Sequence, residues 1–65
     1  MNIYKAYAIN KAGASCDVGD GMSFSSIKQA AETARREFDR GWEIHIIDNT
    51  TGEEIKSFKI RGKNG

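Results

Sequence analysis

The sequence predicts an α+β fold, a single β-α-β-β domain whose three-stranded antiparallel sheet, in strand order 1-3-2, packs on one helix. Three observations predict it. Residues 2–9 alternate in polarity, residues 24–40 carry apolar side chains at spacings of three and four, and two further alternating runs flank a glycine-containing turn at residues 48–53. At 65 residues the chain has room for one core only, so residues 1–65 are expected to form one domain.

In the first strand, Ile3, Tyr7 and Ile9 fall on one parity and Tyr4, Ala6 and Ala8 on the other, the pattern of a half-buried strand. From Asn10 to Ser23 the composition changes to Gly, Ala, Ser and Asp and no apolar period survives. This predicts a flexible, glycine-rich loop over 10–23, and a short extra strand around Cys16 to Val18 is the alternative that stays open. In the helix, Phe24, Ile27, Ala30, Ala31, Ala34 and Phe38 form one alanine-rich stripe. Ser26 and Gln29 have capping-box spacing, with Ser25 and Ser23 as other candidate caps, and Gly41 is placed to end the helix. Its outer face carries Lys28, Glu32, Arg35, Arg36, Asp39 and Arg40, with Glu32 and Arg36 spaced for an ion pair.

The second strand begins at Trp42 and alternates Trp42, Ile44 and Ile46 against Glu43, His45 and Ile47. Asn49, Thr50, Thr51 and a left-handed Gly52 suit a four-residue hairpin loop, which would set Ile46 opposite Ile55 and Ile44 opposite Ser57. Phe58 and Ile60 then fall on the opposite parity from Ile55. Either a β-bulge changes the register or two apolar side chains face away from the helix. The tail, 61–65, is polar and expected to fray. A right-handed crossover from the first strand to the second, with the third strand between them, makes every neighbouring pair antiparallel.

Composition narrows the chemistry. Ten basic and nine acidic side chains leave a formal net charge of +1, far from the excess of a domain held to nucleic acid chiefly by phosphate contacts. A single cysteine, Cys16, forms no intramolecular disulfide, and with one histidine it makes no four-ligand zinc site. The N-terminal residues have no leader pattern and no run is long enough for a membrane span, so a soluble, cytoplasmic protein without membrane contact is expected. Cys16 with His45 is a poor nucleophile and base pair, because one lies in the loop and the other mid-strand. The carboxylates are dispersed, and no catalytic residue is expected. Asp17, Gly19, Asp20 and Gly21 lack the ligand spacing of a calcium loop, and neither a P-loop nor a dinucleotide fingerprint is present, so neither metal nor cofactor is expected.

What remains is binding. One helix covers one face of a sheet, and the open face is expected to draw on Tyr4, His45, Lys56 and Phe58, with Ile47 nearby. The alternative is that residues 10–23 fold over it. Tyr4 and Phe58 together with Lys5, Lys56, Lys59, Arg61 and Lys63 would also suit stacking and phosphate contacts to nucleic acid. The expected partner-binding residues are therefore Tyr4, His45, Lys56, Phe58, Lys59 and Arg61, in a monomer or a homodimer.

The order of a strand opening at Ile3 and Tyr4, the helix SSIKQAAETARREF and the hairpin WEIHIIDNTTGEEIKSFKI resembles small strand–helix–hairpin proteins of phages and mobile elements, among them some anti-CRISPR inhibitors. That resemblance implies a phage-type inhibitor in the host cell cytoplasm. It would dock on a protein or ribonucleoprotein complex of an RNA-guided host defence system and block target DNA. It supplies no motif from which a site residue can be carried over. The near-neutral charge implies blocking by occupation rather than by DNA mimicry. A small direct nucleic-acid binder and a homodimeric structural or regulatory protein are the alternatives.

Overall fold

The computed structural model describes residues 3–61. They form an α+β domain with one helix and a four-stranded antiparallel sheet, in which β1 (Tyr4–Ile9), β2 (Ser15–Asp17), α1 (Ile27–Glu37), β3 (Glu43–Asp48) and β4 (Glu54–Lys59) follow in sequence. The sheet order is β2-β1-β3-β4. Two expectations are corrected here: the sheet has four strands, and the strand opened by Trp42 lies between the first and the last. The cause is in residues 10–17. Asn10 accepts from the backbone of Ala12 (2.9 Å) and Ala14 (3.1 Å) through its side-chain oxygen, Gly13 takes a φ of +89°, and the chain doubles back as a hairpin. With the direction already reversed, β3 lies antiparallel beside β1. The helix crossover therefore joins the parallel pair β2 and β3, and not β1 and β3 as the sequence suggested. The segment 10–23 thus contains β2, the extra strand that the sequence left open, followed by a tight turn.

That turn, Val18–Gly21, holds three successive residues at positive φ: Gly19 at 66°, Asp20 at 59° and Gly21 at 87°. It folds Val18 into the core and brings Gly19 to the far end of α1, where its N–H donates to Glu37 Oε1 at 2.8 Å. Phe24 then bridges to Tyr4 through hydrogen bonds of 2.7 and 3.0 Å, and is itself buried. Phe24 therefore precedes the helix, which starts later than the apolar stripe suggested. Ser26 caps it, accepting from the Gln29 N–H at 3.1 Å. The Gln29 side chain reaches back to Ser25, one residue before the position a capping box uses. The C-terminus also differs from expectation. Phe38 leaves the helix in an extended conformation and packs on Trp42 with ring centroids 5.0 Å apart, while Gly41, at φ 101°, serves the following turn and donates to Ile60 O.

Residues opposite one another in an antiparallel pair share a face. Ala6 faces Ile46 and Ala8 faces Ile44, and with Ala30, Ala31 and Ala34 of the helix these are buried. Val18, Phe24 and Ile60 complete the core. The β3–β4 hairpin has the predicted left-handed Gly52, at φ 80°, but its register is one residue from the expected one. Ile46 pairs with Lys56, Ile44 with Phe58 and Ile47 with Glu54. Ile55 is the extra residue of a β-bulge and stays 42% exposed. The bulge lets Phe58 face the helix and Ile60 join the core, which resolves the parity conflict. The predicted frayed tail lies, beyond Arg61, outside the described residues.

Gly19 tests the turn most sharply. A Cβ there would lie 3.0 Å from Met22 Cβ and 3.3 Å from the Phe24 ring, in a backbone conformation unfavourable to side chains, whereas one at Gly13 meets nothing within 4 Å. Gly19→Ala is expected to cost about 2 kcal/mol and Gly13→Ala about 1 kcal/mol, read by urea unfolding. Equal costs would contradict the packing described for this turn.

Candidate functional site

The face of the sheet turned away from α1 carries Lys5, Tyr7 and Ile9 from β1, Glu43, His45 and Ile47 from β3, and Ser57 and Lys59 from β4. Neither the helix nor the 18–24 segment covers it. Both pack on the opposite side, where Val18 and Phe24 are buried with the helix alanines. The expected alternative of a loop folded over this face is not what the structure shows.

At the centre of the face Tyr7 and His45 sit opposite each other, and their rings stack with centroids 5.0 Å apart and planes 14° from parallel. Two glutamates flank the imidazole: Nδ1 lies 2.8 Å from Glu54 Oε1 and Nε2 lies 3.7 Å from Glu43 Oε1. The His45 side chain is only 16% exposed although no layer of the described residues lies above it, so its cover there is lateral, from neighbours in the sheet. Ile9 and Ile47 are half-buried in the same way. Lys56, expected on the same face as His45, belongs to the other face, where it pairs with Ile46.

The expected partner-binding residues are divided by this geometry. His45 and Lys59 have the parity of the open face, whereas Tyr4, Lys56 and Phe58 have that of the helix side. Tyr4 is tied to Phe24 and packs against the core, and Phe58 lies beneath Arg35, whose guanidinium carbon is 4.6 Å from the ring centroid. Tyr7 was missed at the sequence level. Its parity with Ile3 and Ile9 was plain, but which parity the helix covers depends on Ala6 and Ala8 being the buried pair.

A second feature joins Phe58 to Arg61. A groove of about 750 Å³ runs between the end of α1 and the end of β4, with Phe38, Phe58 and Ile60 as its apolar part. Arg35, Arg36, Arg40, Lys59 and Arg61 line it, against one carboxylate, Asp39. Glu32 was spaced to pair with Arg36, yet among the described residues the ion pairs within 4.0 Å involve His45 alone.

Cys16 is exposed and pairs with Ala8, so register places it on the opposite face from His45, and the two do not meet. Among the described residues no three His, Cys, Asp or Glu side chains gather as a metal site, and no helix is long and apolar enough to cross a membrane. No protein-family model, curated protein or solved structure matches the chain.

Arg35 and Arg36 separate a stacked arginine from a free one. Arg35→Gln is expected to lower stability by about 0.5–1 kcal/mol through loss of the contact with Phe58. Arg36→Gln is expected to stay within about 0.5 kcal/mol of the parent in the same urea titration. A larger loss at Arg36 than at Arg35 would show that the assignment is reversed.

Proposed function

We propose that the chain is a non-enzymatic binding module that docks on a folded protein partner through the sheet face centred on Tyr7 and His45. One observation carries this reading: four half-buried groups, Tyr7, Ile9, His45 and Ile47, lie together on a face that neither the helix nor the 18–24 segment covers. An apolar and aromatic centre with a charged rim is the anatomy of a protein interface. The rim decides the class of partner. Glu43, Glu54 and Asp17 stand with Lys5 and Lys59 around the centre, a mixed pattern with acids in the majority that suits a protein surface and repels a phosphate backbone.

Two features support binding over catalysis. Both imidazole nitrogens face glutamates, and the exposed thiol belongs to the other side of the sheet. The narrower form of the proposal is a phage-type inhibitor that occupies the DNA-binding surface of an RNA-guided defence complex. Its support is the order of elements in the sequence together with a net charge of +1, which favours occupation over mimicry of DNA. Strand β2 alters the strand–helix–hairpin layout on which that form rests.

The test is face-specific recovery of a partner. The parent chain, Tyr7→Ser, Ile47→Asp and Lys28→Gln are immobilised and exposed to a host lysate, and bound proteins are quantified against the parent. Lys28 is an exposed helix residue remote from the face by sequence and element. A protein retained by the parent and by Lys28→Gln, but reduced at least about tenfold by both face variants at unchanged melting temperature, is the expected result. Recovery that is indifferent to both face variants would overturn the proposal. So would light scattering that shows a dimer dissociated by Ile47→Asp, because the face would then be occupied by a second copy.

A further inference from the structure

The groove between α1 and β4 shares only Lys59 with the face centred on Tyr7 and His45, and its composition is different. We propose that it binds the phosphodiester backbone of a single-stranded nucleic acid. The five cations come from three separate stretches: Arg35 and Arg36 from the last turn of α1, Arg40 from the following turn, and Lys59 at the end of β4 with Arg61 just beyond it. Only the fold brings them together, on a chain whose formal net charge is +1.

Structural demands account for part of this cluster. Cations in the last turn favour the helix dipole, which gives Arg35 and Arg36 a role without any ligand. That argument does not reach Arg40, Lys59 or Arg61. Nor are the charges neutralised within the fold. Among the described residues none of the five lies within 4.0 Å of a carboxylate oxygen, and Glu37, next to Arg36 in sequence, is turned to the Gly19 N–H at 2.8 Å. Four of the five are arginines, whose planar fork matches two phosphate oxygens at once. Arg35 is already oriented by its stacking on Phe58, so less side-chain freedom is lost on binding.

The form of the groove selects a single strand. Its lining joins the five cations to Phe38, Phe58 and Ile60, so phosphates can pair with the cations while a base leans on Phe38 or on the Arg35–Phe58 stack. A duplex keeps its bases stacked and would meet the cations alone.

The experiment uses a fluorescein-labelled oligothymidylate of about 15 nucleotides, long enough for one small domain, and fluorescence anisotropy in about 50 and about 200 mM salt. The parent chain is expected to bind at the lower salt and to weaken steeply at the higher. Arg36→Gln with Arg40→Gln is expected to weaken binding about tenfold at low salt and to lower the slope of log affinity against log salt by about 1.4. Lys28→Gln, at the opposite end of the helix, keeps the parent affinity. Arg61→Gln alone gives a smaller loss in the same direction, and serves if the double variant does not fold. The proposal is overturned if the parent does not bind at low salt, or if these variants bind as the parent does. Equal competition by polyglutamate would assign the groove to acidic peptides instead, and tighter binding of a duplex would remove the single-strand assignment.

Discussion

Everything in this fold depends on five alanines. Ala6 and Ala8 on β1 meet the helix surface formed by Ala30, Ala31 and Ala34, and all five are buried. Small side chains on both surfaces allow the helix to lie close over the middle of the sheet, with Ile44 and Ile46 as the larger groups beside them. The constraint is strict because a close-packed interior does not absorb an added methylene without strain. It also fixes which way the sheet faces. With Ala6 and Ala8 inward, strand geometry sends Lys5, Tyr7 and Ile9 outward, and the antiparallel register sends His45 and Ile47 with them.

The left-handed turn at Val18–Gly21 completes this arrangement. A single helix leaves the end of its own interface open, and Val18 and Phe24 close it from the 18–24 segment. The segment is therefore used on the helix side of the sheet. It is held there by the Glu37 contact to Gly19 and by the bridge from Phe24 to Tyr4, so it is not available to shield Tyr7 and His45.

Much of this was legible in the sequence, and the failures have identifiable causes. The helix stripe from Ile27 to Ala34, the Ser26 cap and the left-handed Gly52 of the last hairpin are written in short-range spacing, and each is present, whereas Phe24 and Phe38 of the same stripe lie outside the helix. Strand β2 was obscured because Ser15, Cys16 and Asp17 are all exposed at an edge and leave no alternation to read. Missing that hairpin reversed the apparent chain direction and produced the wrong strand order. The β4 register could not be read from periodicity, since the bulge at Ile55 changes parity within the strand, although the conflict between Ile55 and Phe58 pointed to it. The candidate sites suffered from the bulge, which moves Lys56 and Phe58, and from the buried parity of Ala6 and Ala8, which moves Tyr4. Tyr4, Lys56 and Phe58 were expected beside His45, and parity moves all three to the helix side. Tyr7 takes the central place instead. The arginine cluster was invisible for another reason: residues that look like ordinary solvated helix charges acquire a common direction only when the end of β4 is brought beside them.

A mixed, acid-rich rim surrounds the sheet face and cations gather in the groove, with Lys59 on the border between the two surfaces. Both depend on the sheet having one covered side. The most direct measurement of that claim is paramagnetic relaxation of the isoleucine methyl groups by a dissolved gadolinium chelate. Ile9 and Ile47 are expected to relax strongly while Ile44 and Ile46 stay protected, because adjacent residues of β3 lie on opposite sides of the sheet. Equal protection of all four methyl-bearing side chains would show that the outer side is covered, and would contradict the account at its base.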